Sequence, residues 1–194
     1  MIYEIFGLPG SGKTTTLCAI GQSMLMGKRF LDFCPENYER VLSTFPCRGL
    51  QKLNFEDIKI YDISNSLILC DEISLFIDNR NFKNFDSDLL YFFKMHRHFN
   101  IDFVWCSQNY ADADKKVRDL TDTVYYLEKS RLPHFSVIKK IYHNIDFKKG
   151  QIIDTYDLAP FFKSKHIYRK KWYKYFDSFE HKTLAKYPKT EVWK

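Results

Sequence analysis

Residues 7–14 read GLPGSGKT. This stretch matches the pattern G-x-x-x-x-G-K-[ST] of a phosphate-binding loop (P-loop). The glycines let the backbone curl so that successive N–H groups point at phosphate oxygens, the lysine brings a cation to the β- and γ-phosphates, and the threonine hydroxyl binds Mg²⁺. We therefore predict ATP and Mg²⁺ as cofactors. The predicted cofactor-binding residues are Gly7, Leu8, Pro9, Gly10, Ser11, Gly12, Lys13, Thr14 and Thr15.

The flanking sequence distinguishes this motif from a chance glycine turn. Met1–Phe6 (MIYEIF) is a short apolar run that predicts a buried strand. After Lys13, apolar residues recur at helical spacing, and Gly27 supplies a stop signal for a helix. Strand, glycine loop and helix in this order are the context that a P-loop needs.

A second motif is LILCDE, residues 67–72, which reads as a buried strand that ends in two acids. Asp71 is placed to hold Mg²⁺ together with Thr14, and Glu72 is placed to polarise an attacking water. An ordinary strand that ends in a solvated acidic turn would look the same, but the P-loop upstream favours the functional interpretation. The adjacent pair of acids favours hydrolysis over phosphoryl transfer to a small acceptor.

A third predicted core strand, Ile101–Cys106, ends at Ser107 and Gln108. The carboxyl ends of parallel strands line the ligand crevice, so Gln108 is predicted to orient the lytic water or to sense the γ-phosphate. A polar loop residue is the alternative. Hydrolysis on such sheets also needs a guanidinium near the γ-phosphate, often from a neighbouring subunit. Arg97, Arg118 and Arg131 are the candidates, and we choose the first two. The predicted catalytic residues are therefore Lys13, Glu72, Gln108, Arg97 and Arg118.

The alternation of strands and helices over the first ~120 residues predicts an α/β fold with right-handed crossovers. We expect a three-layer P-loop NTPase with a central, mostly parallel sheet and an antiparallel extension. The further predicted strands are Arg40–Phe45, Ile58–Ile63, Thr123–Glu128 and His134–Tyr142, and the further predicted helices are Ser87–Phe99 and Ala111–Leu120, with a polar loop at 78–86.

The charge is uneven along the 194 residues, which carry a net +6. From Lys163 to the C-terminus there are ten Lys/Arg and three Asp/Glu, so we divide the chain into an ATPase domain, 1–162, and a basic aromatic tail, 163–194. Within the tail, Tyr168–Phe179 interleaves cations with aromatic rings. Three interpretations stay open: a surface that binds single-stranded nucleic acid, a membrane-surface segment, or an aromatic helix packed on the core.

Three sequence features that are absent indicate the cellular compartment. The five cysteines form no CxxC pair, which favours buried thiols in a reducing compartment over disulfides or zinc ligands. Residues 1–6 run straight into the P-loop, which argues against a signal peptide, and no window approaches ~18 apolar residues, the length of a membrane span. We expect a cytoplasmic protein.

Taken together, these motifs resemble the zonular occludens toxin (Zot-like) family, which includes the assembly ATPases of filamentous phages. The resemblance covers roughly residues 1–183 and is most specific in FFKMHRHFNIDFVWCSQNYADADKKVRDLTDTVYYLEK, residues 92–129. The stretch WYKYFDSFEHKT, residues 172–183, is similar to the end of the family's cytoplasmic domain. The matching segments are His96-Arg97-His98, Asn100-Ile101-Asp102, Gln108, Val117-Arg118-Asp119-Leu120 and Val124–Leu127.

The resemblance implies a P-loop fold of the RecA/FtsK–HerA type, a homo-oligomeric ring, and ATP-driven movement of viral single-stranded DNA. It implies a sensor role for Gln108 and a nucleotide contact for Arg97 or Arg118. Virion or coat proteins would be partners, and the place of action would be the host cytoplasm or the cytoplasmic face of the inner membrane. Family members usually continue into a transmembrane helix, whereas this chain ends at Lys194, so we expect a soluble packaging relative or a shortened chain.

Two other functions remain open at this point. A small-molecule kinase shares the P-loop but needs a mobile lid with several arginines, and the basic residues here cluster in the tail, mostly as lysines. The second alternative is a non-enzymatic, nucleotide-gated component of an assembly machine that docks on a membrane or has a structural role.

Overall fold

The computed structural model describes residues 1–77, 87–110, 115–148 and 151–176. The predicted order of strand, glycine loop and helix is confirmed: β1 (Ile2–Phe6) leads through the loop into α1 (Lys13–Leu25). Leu17 and Ile20 of α1 are fully buried and pack against Ile5 of β1. Burial of this apolar face holds the helix on the sheet, with its first turn next to the end of the strand.

One sheet of nine strands runs through the described residues, with the order β3-β2-β4-β5-β1-β6-β7-β8 and β9 beside β7. The strands from β3 to β6 in this order are all parallel. Their carboxyl ends therefore meet at one edge, called here the carboxyl edge, and their amino ends at the opposite amino edge. The strands after β1 are β2 (Arg40–Ser43), β3 (Gln51–Lys52), β4 (Ser66–Cys70), β5 (Asp102–Ser107), β6 (Thr123–Lys129), β7 (Phe135–Lys148), β8 (Gln151–Leu158) and β9 (Lys165–Tyr168).

Two apolar layers cover the sheet. One face packs on α1, and the other packs on α2 (Ser87–Met95), α3 (Lys115–Arg118) and a 3₁₀ turn at Phe55–Lys59. Phe103 of β5 lies at the centre of the second layer, edge-on to Phe92 and Phe93. The predicted three-layer α/β fold with a mostly parallel sheet is confirmed.

The predicted strand Ile58–Ile63 is wrong. The chain forms a 3₁₀ turn at Phe55–Lys59 and then an irregular segment before β4. Ile58 and Ile63 are buried, but Ile60 and Tyr61 between them are 70% and 64% exposed. The side chains of Ile58 and Ile63 thus pack a loop against the second layer, although the backbone of this loop pairs with no strand among the described residues.

The antiparallel extension is larger than predicted. β7 is 14 residues long and pairs antiparallel with β6, β8 and β9, of which the last two were not predicted. Lys129 at the end of β6 pairs with Ser136, and Phe135 pairs with Tyr168 at the end of β9. The end of β9 therefore lies at the carboxyl edge, beside the P-loop.

Residues 165–176, called here the docked segment, pack on the domain. After β9, Trp172 is only 5% exposed and belongs to the apolar layer that contains α1. The carbonyl of Tyr175 accepts a hydrogen bond of 2.7 Å from the backbone N–H of Arg48. These described residues of the segment after the boundary drawn at 162 thus pack on the same apolar layer as α1. Up to Phe176 the tail packs on the core through 3₁₀ turns rather than a helix, and 177–194 lie outside the described residues.

All five cysteines are free thiols, and four of them are buried. Cys18 of α1 and Cys47 lie with their Sγ atoms 3.3 Å apart beneath the docked segment. Across the ranges given above, no helix has both the length and the apolar character that crossing a membrane requires.

Candidate nucleotide site

The P-loop turns tightly between β1 and α1. Gly10 and Gly12 have φ of 73° and 100°, in the left-handed region that glycine adopts without strain. Gly12 caps the helix, and its carbonyl accepts the first helical hydrogen bond, from the N–H of Thr16 at 2.9 Å. The N–H groups before Thr16 are the ones that a helix leaves without intrahelical partners, so this loop offers a ready site for an anion.

The Lys13 side chain folds back across the loop. Its Nζ donates a hydrogen bond to the carbonyl of Gly7 at 2.7 Å and approaches the carbonyl of Leu8 at 3.5 Å. The ammonium group thus lies over the concave side of the loop, where it adds a positive charge to the N–H groups of the backbone. This is the position from which it can contact β- and γ-phosphates.

Thr14 and Asp71 meet directly. The Oγ1 of Thr14 donates to Oδ2 of Asp71 at 2.7 Å, although β5 separates the P-loop strand from the strand that carries Asp71. Burial raises the pKa of the Asp71 carboxyl, and the hydrogen bond from Thr14 opposes that rise. A hydroxyl and a carboxylate are the hard oxygen ligands that Mg²⁺ prefers, and a divalent cation would stabilise the charged carboxylate, so these two residues fit the metal.

Glu72 follows in a strained conformation. Its φ of 53° and ψ of 72° lie in the left-handed region, which costs a residue with a Cβ about 1–2 kcal/mol. Its Oε1 accepts a hydrogen bond from the hydroxyl of Ser74 at 2.8 Å, which fixes the carboxylate. Backbone strain of this kind is typical of functional positions, where the surrounding structure holds one side chain in place.

Gln108 lies at the tip of β5, between the P-loop strand and the Asp71 strand. Ser107 is buried, and its hydroxyl donates to Oε1 of the fully buried Glu4 at 3.1 Å. Gln108 is exposed and is therefore the polar side chain that β5 presents at the carboxyl edge.

The three candidate arginines lie at different places in the fold. Arg97 precedes β5 and lies at the amino edge, where its guanidinium pairs with Asp122. Arg118 stacks over the ring of Tyr110 at 5.4 Å, in a cavity of about 330 Å³ that Asp122 also lines. Arg131 lies in the exposed turn between β6 and β7. The structure thus brings together Lys13, Thr14, Asp71, Glu72 and Gln108, and it leaves Arg97 at the far end of the strands.

A sequence model described as zonular occludens toxin (Zot) matches residues 31–178. The chain belongs to this family. The matched region begins after the P-loop, so the family assignment and the geometry of the loop are independent observations. A search of curated protein sequences finds no significant match.

Several solved structures have a similar fold. The N-terminal domain of zonular occludens toxin from Neisseria meningitidis has a TM-score of 0.58 at 16% identity, covering 91% of this chain and 98% of that one. The genome packaging NTPase B204 of Sulfolobus turreted icosahedral virus 2, in complex with AMPPCP, has a TM-score of 0.51 at 10% identity, with 72% and 91% covered. The flagellar accessory protein FlaH of Methanocaldococcus jannaschii has a TM-score of 0.50 at 12% identity, with 72% and 76% covered. At these identities the likeness shows the fold.

The Zot chain also places two cations at the P-loop that sequence reasoning missed. Nη1 of Arg169 donates to the carbonyl of Gly10 at 2.9 Å, and Cδ of the same side chain lies 2.7 Å from where a Cβ on Gly12 would be. Nζ of Lys129 lies 3.1 Å from where a Cβ on Gly10 would be. No local motif marks Arg169, because it reaches the loop only through the pairing of β9 with β7.

Proposed function

We propose that this Zot-family chain is an ATPase that binds Mg²⁺–ATP at the carboxyl edge of its sheet and hydrolyses it. The observation that carries the proposal is the hydrogen bond between Thr14 and Asp71. It joins the P-loop to the acidic end of β4, and these are the two parts that together hold Mg²⁺ in hydrolytic P-loop proteins.

Each side chain has a role that follows from its position. The N–H groups of the loop and the Lys13 ammonium would hold the phosphates, and Thr14 and Asp71 would hold a Mg²⁺ ion, whose chemistry is the neutralisation of phosphate charge. Glu72 accepts the proton of the attacking water, and its fixed orientation favours one line of attack. Gln108, at the tip of the strand between them, orients that water.

We further propose that hydrolysis drives the movement of viral DNA, in single-stranded form, during virion assembly or genome packaging. Membership of the Zot family and a fold shared with a genome packaging NTPase support this. The chain would act as a homo-oligomeric ring with virion or coat proteins as partners, in the host cytoplasm or at the cytoplasmic face of the inner membrane. In a ring, Arg97 at the amino edge could serve only the nucleotide of a neighbouring subunit.

The test is ATP turnover by the purified chain with and without single-stranded DNA. We expect Lys13→Ala to lower turnover about a hundredfold or more, because it removes charge stabilisation in the transition state. Lys28→Ala, an exposed lysine at the far end of α1, is the matched control and should turn over normally. Hydrolysis that persists in Lys13→Ala would overturn the site assignment.

The DNA arm tests the motor separately. If DNA leaves the rate of ATP turnover unchanged, the proposal of DNA movement is refuted and the proposal of ATP hydrolysis stands. Turnover that begins only when a nucleoside or a sugar is added would indicate a kinase instead. Binding of ATP without turnover, even in assembled chains with DNA, would indicate a nucleotide-gated component.

A further inference from the structure

The two sides of the P-loop differ in what the sheet places next to them. On one side lie β5 and β4, which bring Gln108 and Asp71. On the other side lie β6, β7 and the docked segment. A bound nucleotide must therefore have different surroundings at its two ends.

The metal ligands fix which end of the nucleotide lies on which side. Thr14 and Asp71, the residues that would hold Mg²⁺, lie toward β4, and a metal ion held there would neutralise charge on the terminal phosphates. The terminal phosphate therefore points toward β4 and β5. Since the nucleotide is a linear chain of groups, its α-phosphate and ribose leave the loop on the side of β6, β7 and the docked segment.

Two cations occupy that side. Arg169 donates from Nη1 to the carbonyl of Gly10, and its aliphatic stem packs over Gly12. Lys129, at the end of β6, holds its ammonium group against Gly10. Both side chains contact the P-loop at Gly10, whereas the Lys13 ammonium group donates to the carbonyl of Gly7.

The structure also holds Arg169 in this position. Its backbone N–H donates to the carbonyl of His134 at 2.8 Å, and Trp172, three residues further on, is buried against α1. The Nε of Arg169 is shielded from solvent and has no hydrogen-bond partner among the described residues. The backbone of Arg169 is thus held in place, and its guanidinium keeps N–H donors that no described residue accepts. Such a side chain is suited to bind an oxygen-rich group beside it.

We propose that Arg169 and Lys129 form the nucleoside side of the site and bind the ribose of ATP within the same chain. This rests on the proposed function, since it assumes that ATP occupies the P-loop. Through Arg169, the docked segment is accordingly part of the nucleotide site.

The test compares two ligands that share three phosphates and differ in the nucleoside. Binding of Mg²⁺–ATP and of Mg²⁺–tripolyphosphate is measured by calorimetry on the full chain. Arg169→Ala should weaken ATP binding about tenfold, as expected for the loss of a charge-assisted hydrogen bond, and should leave tripolyphosphate binding unchanged. Lys170→Ala, which removes the exposed cation next to it, is the matched control and should bind both ligands normally.

Three results would overturn the subsite. Arg169→Ala could weaken both ligands equally, which would mean that Arg169 only shapes the P-loop. It could leave ATP binding unchanged, or the wild-type chain could bind the two ligands with equal affinity. A wild-type chain that binds neither ligand would refute the proposed function, and the subsite with it, so the two failures are distinguishable.

A second pair of variants guards against misfolding. Where Arg169→Ala lowers the melting temperature too far for a titration, Arg169→Lys and Lys129→Ala replace it. Arg169→Lys keeps a cation but loses the planar fork of donors, so ATP binding should weaken while tripolyphosphate binding stays unchanged. Lys129→Ala should show the same difference between the ligands, and equal effects on both would again overturn the proposal.

Discussion

The two edges of the sheet both carry charged side chains, but the charges are arranged differently. At the amino edge they satisfy one another: Asp122 accepts from the backbone N–H of Ile2 at 2.8 Å and pairs with Arg97, and Asp102 accepts from the hydroxyl of Tyr38. At the carboxyl edge the cations Lys13 and Arg169 donate to P-loop carbonyls, and the carboxylates of Asp71 and Glu72 directly follow β4.

This difference separates a structural network from a binding site. Charges that pair with each other across neighbouring elements hold those elements in register and leave little for a ligand. Cations that rest on carbonyl oxygens, near N–H groups that a helix leaves without intrahelical partners, can exchange those contacts for phosphate oxygens. Variants at the two edges should accordingly separate loss of activity from loss of stability.

The largest effect is expected for Asp71→Asn at the carboxyl edge. The amide keeps the shape of the side chain but removes the negative charge that holds the metal ion, so turnover of ATP should fall about a hundredfold or more. The free energy of unfolding should change little. Steady-state hydrolysis and thermal unfolding of the same preparation check this. Full activity at saturating Mg²⁺ would show that Asp71 is not the metal ligand.

Gly12→Ala is expected to damage both binding and stability. The φ of 100° strains any residue with a Cβ, and the added methyl would lie 2.7 Å from Cδ of Arg169 and 2.9 Å from Oγ of Ser136. We expect a loss of about 2–3 kcal/mol in unfolding free energy and about tenfold in ATP affinity. Denaturant unfolding and ATP titration measure the two effects.

Gly27→Ala is the matched control for that variant. Gly27 has a φ of 64°, and a Cβ there would meet nothing within 4 Å. It should cost only the backbone strain, about 1 kcal/mol, and leave ATP affinity unchanged. Equal losses of affinity in the two variants would mean that contacts with Arg169 and Ser136 do not matter.

At the amino edge, Asp122→Ala should affect stability alone. It leaves the backbone N–H of Ile2 without its acceptor and Arg97 without its partner, which should cost about 2 kcal/mol. ATP affinity should not change, because the site lies at the other end of the strands. Urea unfolding checks this, with the exposed Asp119→Ala as a control that should stay within about 0.5 kcal/mol of wild type. A loss of ATP binding in Asp122→Ala would contradict the separation of the edges.

Arg97→Ala should have the smallest effect on a single chain. Its side chain is 63% exposed, and such ion pairs contribute less than about 1 kcal/mol. ATP affinity should stay unchanged. A role for Arg97 at a neighbour's nucleotide predicts, in addition, a fall in turnover only at protein concentrations at which chains assemble. Turnover that falls equally in dilute chains would contradict the position at the amino edge.

The sequence predicts the parts of the site that depend on local order. A P-loop specifies its own flanking strand and helix, and a buried strand that ends in acids places Asp71 and Glu72 at one edge. The tip of the next core strand places Gln108 in the same way. These predictions need only the rule that parallel strands share an edge.

Other positions in the fold depend on more than local order. Arg97 lies between a helix and the strand that follows it, and a crossover helix returns the chain to the amino edge before that strand begins. The alternation of strands and helices in the sequence therefore suffices to place Arg97 at the amino edge. The position of Arg169 could not be predicted in this way, because it depends on the pairing of β9 with β7, which lie about thirty residues apart in sequence. The apolar residues of Ile58–Ile63 are buried as expected, but burial alone did not decide between a strand and a packed loop.

The docked segment runs along α1 from one end to the other. Arg169 contacts the P-loop, Trp172 packs beside Cys18, and Tyr175 bonds to Arg48, whose carbonyl in turn accepts from Gln22 near the end of the helix. A force applied to the chain beyond Phe176 would therefore act first on the contact of Tyr175, then on that of Trp172, and last on that of Arg169 with the P-loop. The helix that begins at the phosphates is thus also the part of the molecule that would carry tension from the tail.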